Sequence, residues 1–302
     1  MTSRVLPPAV RWLTDETCRD VQATGGKSAA LARLTGDARV PAGFAIVAGA
    51  DLSSPALVAE IRDAYQRLGQ YVDEDAPRVA VRSSAVGEDG MRASFAGQLA
   101  TQLGVRGEKA LLEAAGVVQA SGLTARAAAY RQGKALPEEA GAPAVLVQAL
   151  IPADASLVAF SANPVATGPD DAAAMVVDAT WGLGESLVAG LVTPDAYTVR
   201  RTDLRIIARR LGDKALMVVP APHGDTRTVP VPRSVADQLV LTDAHVVDIA
   251  RLLLRLESRL GYPVDIEAAF WNESLYLLQC RPITTTLAVE RGTPHQDQEA
   301  LP

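Results

Sequence analysis

The stretch PVDIEAAFWNESLYLLQCRPIT, at residues 263–284, predicts two antiparallel β-strands joined by a short turn. Apolar and polar residues alternate along its first half. Because successive side chains of a strand point to opposite faces, the even-numbered residues 264–270 share an apolar face. Asp265 and Glu267 then lie on the opposite face. The stretch therefore predicts carboxylates side by side on one face of a sheet.

The turn determines which side chains lie opposite each other in this hairpin. A three-residue loop at 272–274 would place Glu267 opposite Gln279 and Asp265 opposite Arg281. A carboxylate beside an amide oxygen suits a hard cation such as Mg²⁺, and a neighbouring arginine suits phosphate. The alternative from this stretch alone is an ordinary cross-strand ion pair on a half-exposed hairpin. We expect the alternate residues of the second strand to share a face: Leu275, Leu277, Gln279 and Arg281.

Length and composition are those of an ordinary globular protein. The chain has 302 residues, of which 48% are hydrophobic and 21% are charged. A formal net charge of −6, without a block of lysine and arginine, argues against a nucleic-acid-binding surface. Cys18 and Cys280 lack metal-ligand spacing, and no apolar run approaches the roughly 20 residues that span a bilayer. We therefore expect a cytoplasmic protein that binds neither nucleic acid nor membrane.

Helix and strand patterns are mixed along the chain rather than strictly alternating, which favours an α+β fold with mixed or antiparallel sheets. The clearest helix is predicted over residues 243–260, with Thr242 as its N-cap and Gly261 as its C′ residue. An apolar strand at 144–150 is expected to form a hairpin with a strand at 156–161.

Two segments rich in small residues offer sites for an anion. GGKS at 25–28 is not a Walker A motif, because Val21 stands where the first glycine is required. Lys27 at this helix start is either part of an anion site or a surface lysine. Arg82 precedes a loop that extends to Gln98, and this loop either approaches a phosphate or is a mobile surface loop.

Two other segments are weaker candidates. Glu185, in the sequence GLGE, either contacts a ligand or supports the dipole of the helix that it begins. The buried strand that ends at Gln148 and Leu150 offers groups to an adenine ring, as many buried strands do. No histidine has a glycine-rich setting or a second ligand nearby, so all are interpreted as structural or exposed: His223, His245 and His295.

Taken in order, several segments of the chain resemble one family. They are GGKSAALARL (25–34) with VPAGFAIV (40–47), VAVRSSAVGEDGMRASFAGQ (79–98), AFSANPVATG (159–168), WGLGESLVAGLVTPDAYTV (181–199), and DIEAAF with LYLLQCRPITT (265–285). They are similar to the ATP-binding N-terminal domain of the pyruvate phosphate dikinase and phosphoenolpyruvate synthase family. GLGESLVAGLVTPDAY is particularly similar to the rifampin phosphotransferase branch. The resemblance covers about residues 20–287.

The resemblance implies an ATP-grasp-like α+β fold that holds ATP and Mg²⁺ in a cleft. The ATP-binding domain would occupy residues 1–287, with subdomains of roughly 1–143 and 144–287 on the two sides of the cleft. Residues 288–302 are polar and unpatterned, and we expect them to form a flexible tail.

The resemblance also assigns roles to individual residues. Lys27 and Arg82 would contact the phosphates and stabilise the charge that develops on transfer, and Arg281 would bind the terminal phosphate. Glu267 and Gln279 would hold the magnesium ion. The remaining matched positions would bind the nucleotide: Ser94, Ala96, Gly97, Gln98, Gln148, Leu150 and Glu185.

The resemblance implies a phosphotransferase module rather than a complete reaction. Family members usually continue into a swivelling domain with a phosphate-carrying histidine, and then into an acceptor-binding domain. We expect transfer from Mg-ATP to a histidine on a separate domain or chain, with AMP and phosphate released. The expected partners are a phosphohistidine-domain protein and an acceptor-binding protein or small-molecule acceptor. The alternatives are a stand-alone small-molecule kinase or ligase that gives ADP, and a non-catalytic nucleotide-binding subunit.

Overall fold

A computed structural model describes residues 8–87, 100–122, 142–166, 168, 173–222 and 224–283. Two larger antiparallel sheets, one separate hairpin and several helices make up this part of the chain, which confirms the expected α+β class. No helix within these ranges combines the length and the apolar character needed to cross a bilayer. The helices are α1 (Val21–Leu34), α2 (Pro55–Val72), α3 (Glu108–Ser121), α4 (Glu185–Val188), α5 (Arg233–Ala236) and α6 (Asp243–Leu260).

The first sheet has the strand order β1-β2-β5-β3-β4. Its strands are β1 (Val10–Trp12), β2 (Gly43–Ile46), β3 (Arg78–Ser84), β4 (Thr101–Arg106) and β5 (Ala144–Ala149). Helices α2 and α3 present Ile61, Leu68 and Leu111 to this sheet, where they pack in one core with Val79 and Val147. Burial of these side chains leaves the opposite face of the sheet available to the rest of the molecule.

The second sheet has the strand order β13-β12-β6-β7-β8-β9. Its strands are β6 (Ala155–Phe160), β7 (Met175–Trp181), β8 (Asp195–Val199), β9 (Ile206–Arg210), β12 (Val264–Trp271) and β13 (Ser274–Pro282). Helix α6 covers one face, because Val246, Ile249 and Leu253 repeat at helical spacing and share a core with Val177 and Ile266. Asp265 and Glu267, the polar residues of β12, therefore lie on the face of the sheet opposite helix α6.

The caps of helix α6 confirm its predicted bounds of 243–260. The side-chain oxygen of Thr242 accepts a hydrogen bond from the backbone nitrogen of His245 at 3.2 Å. Gly261 has a φ of 79°, and its N–H donates to the carbonyl oxygen of Glu257 at 2.7 Å. Both ends are thus closed by the residues that the sequence indicates.

The expected hairpin between the strands at 144–150 and 156–161 was wrong. Strand β5 lies inside the first sheet, where Gln148 is opposite both Gly43 of β2 and Ala80 of β3. Strand β6 pairs instead with β7 and β12 in the second sheet. All of β5 is buried and Gln148 is its only polar residue, so the strand carries no alternation that would indicate its neighbours. The change of sheet therefore follows β5.

The β12–β13 hairpin has the predicted pairing but a different turn. Glu267 is opposite Gln279 and Asp265 is opposite Arg281, yet the loop contains two residues, both with positive φ, rather than three. A bulge after Glu267 leaves Leu278 as an extra residue on β13, which restores the register. The bulge also reverses the strand's faces. Consequently Leu277 lies in the core, while Gln279 lies on the opposite face, and the prediction of one shared face was wrong.

The Pro-rich segment at 214–235, for which the sequence predicts only extended structure, contains the hairpin of β10 (Leu216–Pro220) and β11 (Thr226–Pro230). At its base, the ammonium of Lys214 lies 2.5 Å from the carboxylate of Asp195, and both side chains are fully buried. The same carboxylate accepts hydrogen bonds from the backbone nitrogens of Gly212 and Val240. These contacts attach the hairpin to β8 of the second sheet.

Replacing Lys214 with methionine is expected to destabilise the protein by about 2 kcal/mol, because the Asp195 carboxylate stays buried without its counter-ion and keeps only its two backbone donors. Chemical denaturation measures this change. The matched control is Lys109→Met, because the Lys109 side chain is 92% exposed beside Glu113. We expect the control to shift stability by less than about 0.5 kcal/mol. Equal stability of both variants would contradict a structural role for the buried pair.

Candidate functional site

A cavity of about 680 Å³ lies between the two sheets. Strands β3, β4 and β5 line one side of it, and β6, β12, β13 and helix α4 line the other. The structure brings together in this cavity the site residues that were predicted in five separate parts of the chain: Lys27, Arg82, Gln148, Leu150, Glu185, Glu267, Gln279 and Arg281. The remaining predicted residues lie outside the described part of the chain: Ser94, Ala96, Gly97 and Gln98.

The β12–β13 hairpin supplies a polar cluster to the cavity. Glu267 and Gln279 lie side by side across the hairpin, and both line the cavity. Two residues further along the hairpin, Nε of Arg281 donates to Oδ2 of Asp265 at 2.6 Å. Burial raises the pKa of the Asp265 carboxyl above its ordinary value, and the Arg281 guanidinium only partly opposes that effect. Oδ1 of Asp265 is buried and has no hydrogen-bond partner among the described residues.

Arg82 reaches from the first sheet to the second. Its Nη1 donates to the carbonyl oxygen of Leu278, the bulge residue of β13, at 3.3 Å. Its Nη2 lies 4.0 Å from the Glu267 carboxylate, and both side chains are largely buried. Within the described residues its Nε is buried without a hydrogen-bond partner. The carbonyl oxygen of the bulge residue Leu278 thus positions the Arg82 guanidinium beside the Glu267 carboxylate.

Lys27 is positioned by a break in helix α1. The sequence predicted a helix that opens at residues 25–28, but α1 begins at Val21 and is interrupted at Gly25, where φ is 75° and ψ is 173°. Lys27 is 7% exposed and donates from Nζ to the carbonyl oxygen of Ser83 at 3.3 Å. On the same turn, the backbone nitrogen of Gly26 donates to the carbonyl oxygen of Ala85 at 2.9 Å. The break therefore seats α1 against the end of β3.

Replacing Gly25 with alanine is expected to destabilise the protein by about 2 kcal/mol or more. A Cβ there would lie 1.7 Å from the carbonyl oxygen of Ser84, and the positive φ adds backbone strain. Thermal unfolding measures the loss. Gly36→Ala is the control, since a Cβ at Gly36 meets nothing within 4 Å. If Gly25→Ala were as stable as Gly36→Ala, the close contact between α1 and β3 would be wrong.

The opposite end of the cavity is more apolar. Gln148 is 2% exposed and its Nε2 donates to the carbonyl oxygen of Pro41 at 3.3 Å. The backbone nitrogen of Leu150 already donates to the carbonyl oxygen of Arg78 at 2.9 Å, so it is not available to a ligand. Leu157 and Leu183 contribute apolar surface. A flat aromatic group would suit this end, whereas the charged groups lie at the other.

Glu185 lines the cavity from the first turn of helix α4. Its Oε2 is buried and finds no hydrogen-bond partner in the described ranges. The turn before the helix is fixed to β6, because the hydroxyl of Ser156 donates to the carbonyl oxygen of Gly182 at 2.7 Å. This contact holds the start of the helix, and with it the carboxylate, beside the cavity.

Sequence reasoning missed the contribution of the bulge and of the apolar lining. No local signal in β13 indicates that Leu278 would present its carbonyl oxygen to Arg82. His245, by contrast, is structural as predicted, since its ring stacks on Phe270 at 4.3 Å and its Nε2 lies 2.9 Å from the Glu273 carboxylate. His223 and His295 lie outside the described residues.

Comparison with known proteins identifies the family. Residues 50–300 match the family described as "Pyruvate phosphate dikinase, AMP/ATP-binding domain". The chain belongs to this AMP/ATP-binding domain family. The family resemblance inferred from the sequence motifs is therefore confirmed.

This chain is similar to curated proteins of two kinds. It is 37% identical over 225 residues to a probable phosphoenolpyruvate synthase from Methanocaldococcus jannaschii, and the alignment covers 74% of this chain and 19% of that protein. It is 40% identical over 220 residues to a rifampicin phosphotransferase from Streptomyces sviceus, with coverage of 73% and 24%. The chain thus spans about a fifth to a quarter of the length of these relatives.

Among solved structures, the AMP/ATP-binding domain aligns with the D-alanine-D-alanine ligase from Helicobacter pylori. The TM-score is 0.40 and the sequence identity is 11%, over 88% of this chain and 55% of that one.

Proposed function

We propose that this chain binds Mg-ATP in the cavity between its sheets and passes a phosphoryl group to a histidine on a separate domain or chain, with AMP and phosphate released. Both phosphoanhydride bonds of ATP are broken: one phosphoryl group goes to the histidine nitrogen, one water molecule takes up the other to give free phosphate, and AMP is the leaving group. One observation carries the proposal. Side chains from five separate segments, four of which lie within the part of the chain that matches the AMP/ATP-binding domain, converge on one cavity of about 680 Å³. A phosphotransferase of this type would be an enzyme that needs further parts for turnover.

The charge distribution supports an assignment of the two ends of the nucleotide. Lys27, Arg82 and Arg281 supply three cationic side chains at the polar end, and a triphosphate is the ligand that matches them. Phosphoryl transfer requires in-line positioning and neutralisation of developing charge more than a covalent protein nucleophile. Arg281 is oriented by its contact with Asp265, so that it binds the phosphate in a fixed direction.

The residues at the polar end also fit a magnesium ion. Glu267 and Gln279 offer a carboxylate and an amide oxygen in register on one face of the hairpin. The described residues contain no group of three or more histidine, cysteine or acidic side chains that would make a complete protein cage. One carboxylate and one amide oxygen form the small donor set that Mg²⁺ uses with nucleotides, since the ion takes its other ligands from phosphates and water. When bound, the ion would neutralise phosphate charge.

The apolar end suits the adenine ring. Gln148 and Leu150 line it, and Gln148 is held in place by its contact with Pro41. Glu185 also lines the cavity, and its buried Oε2 has no hydrogen-bond partner among the described residues. This oxygen can accept a hydrogen bond from a hydroxyl group. We therefore place the base near Leu150 and the sugar between the base and Glu185.

The acceptor of the phosphoryl group is proposed to come from outside this cavity. His245 is engaged with Phe270 and Glu273 and does not line the cavity. The names of the relatives, phosphoenolpyruvate synthase and rifampicin phosphotransferase, point to a small organic acceptor in the complete reaction. The proposed partners are accordingly a histidine-bearing domain and an acceptor-binding domain or protein.

Phosphorus NMR of Mg-ATP incubated with the protein tests this proposal. The protein is measured alone and then with lysate from its source, so that a separate histidine-bearing chain is available. We expect AMP and free phosphate to accumulate only with the lysate, and to disappear when the lysate is combined with Arg281→Ala in place of the parent protein. Release of ADP by the parent protein alone would contradict the proposal and indicate direct phosphorylation of a small molecule.

A further inference from the structure

The β10–β11 hairpin, here called the strap (residues 214–222 and 224–231), is hydrogen-bonded to both halves of the molecule, and the proposed chemistry does not use it. We propose that the strap is a latch that holds the cleft closed and limits the rate at which ATP leaves. The inference rests on the proposed nucleotide site, and three features of the strap support it.

The strap is firmly attached to the second sheet. The backbone nitrogen of Leu183 donates to the carbonyl oxygen of Val218 at 2.8 Å. A Cβ on Gly182 would lie 2.4 Å from that same oxygen, so the two backbones are in direct contact. Val218 is 4% exposed, and the buried pair of Lys214 and Asp195 fixes the base of the strap. The strap therefore moves with the second sheet.

The tip of the strap is hydrogen-bonded to the first sheet. Nη2 of Arg78, on β3, donates to the carbonyl oxygens of Ala221 at 3.3 Å and Pro222 at 3.1 Å. The backbone nitrogen of Asp225 donates to the carbonyl oxygen of Gly104, on β4, at 3.1 Å. Pro222 and Asp225 are exposed. Hydrogen bonds made by exposed residues at the end of a hairpin are among the contacts that open first in local fluctuations.

The position of the strap relates this opening to the cavity. Leu183 and Glu185 line the cavity on the side to which the strap is fixed. Thr101 and Leu103 of β4 line it on the side to which the tip is hydrogen-bonded. Release of the tip would let these two sides of the cavity separate. Closure of such elements commonly controls the entry and exit of ligands.

A reversible disulfide between the tip and β4 tests the latch. A Cβ on Gly224 would lie 4.0 Å from Cβ of Arg106, within the range that a disulfide requires. The native Cys18 and Cys280 are buried and do not compete. The test uses the double variant Arg106→Cys/Gly224→Cys and compares its oxidised form with its reduced form. Gly224 has a φ of 111°, so cysteine there strains the backbone, but this strain is the same in both forms.

The quantity measured is the rate at which radiolabelled ATP, bound with Mg²⁺, is released into an excess of unlabelled ATP. We expect oxidation to slow release by about tenfold or more, and reduction to restore it. Oxidation of either single-cysteine variant should change nothing. Arg78→Met, which removes the two side-chain hydrogen bonds to the tip and leaves the bond between Asp225 and Gly104, should speed release by several-fold.

Equal release rates in the oxidised and reduced double variant would overturn the latch. So would failure of the disulfide to form, because the tip would then not lie beside Arg106. If the parent protein does not bind ATP at all, the proposed nucleotide site is contradicted instead, so the two failures are distinguishable.

Discussion

Glu267→Gln is expected to lower magnesium-dependent ATP turnover by about 1,000-fold, because it removes the carboxylate that lies beside Gln279 in the proposed magnesium site. The substitution keeps the size of the side chain and the pairing of the hairpin, so the fold should be unchanged. Turnover is measured by phosphorus NMR under the conditions in which the parent protein consumes ATP. Isothermal titration should also show that Mg²⁺ no longer strengthens ATP binding.

The matched control for this prediction lies in the same hairpin. Glu273, in the turn, has a side chain that is 87% exposed and contacts His245 rather than the cavity. Glu273→Gln applies the same chemical change and should leave both turnover and magnesium dependence within about twofold of the parent values. Unchanged turnover in Glu267→Gln would contradict the assignment of Glu267 as a magnesium ligand.

Lys27→Met is expected to weaken ATP binding by about 100-fold while changing AMP binding by less than about threefold. The ammonium is largely buried at the polar end of the cavity, where the β- and γ-phosphates are proposed to lie, and AMP lacks both of these groups. Methionine keeps most of the length and packing of lysine. The measurement is isothermal titration of each nucleotide in the presence of Mg²⁺.

The exposed residue Lys109 provides the control for Lys27. Lys109→Met removes one positive charge of the same kind, but on a side chain that is 92% exposed. It should leave the affinities for ATP and AMP close to those of the parent, because exposed charges are screened by solvent and salt. Equal weakening of ATP and AMP in Lys27→Met would show that Lys27 does not contact the terminal phosphates.

Alternation and charge were sufficient to predict the centre of the site. The run from Asp265 to Phe270 indicates a strand with one polar face, and Glu267 pairs with Gln279 as predicted. The agreement depends partly on compensation, since a two-residue loop plus a bulge at Leu278 gives the register of a three-residue loop. Sequence alone cannot distinguish these two solutions, and the faces of Leu275 and Leu277 were accordingly assigned wrongly.

Features that depend on distant partners were not predictable. Strand β5 is apolar apart from Gln148 and shows no alternation, so its position between β2 and β3 follows only from the packing of the first sheet. Gly25 interrupts α1 because the main chain of Ser84 occupies the space beside it, a contact across about 60 residues of sequence. The pairing of Lys214 with Asp195 likewise joins segments whose local patterns give no sign of each other.

The most direct measurement is a crystal structure of the protein with Mg²⁺ and a non-hydrolysable ATP analogue. We expect the triphosphate to contact Lys27, Arg82 and Arg281. The metal should lie between Glu267 and the phosphates, and the base should lie at the opposite, apolar end of the cavity. A nucleotide bound outside this cavity, or one whose phosphates lie at the apolar end, would contradict the proposed site.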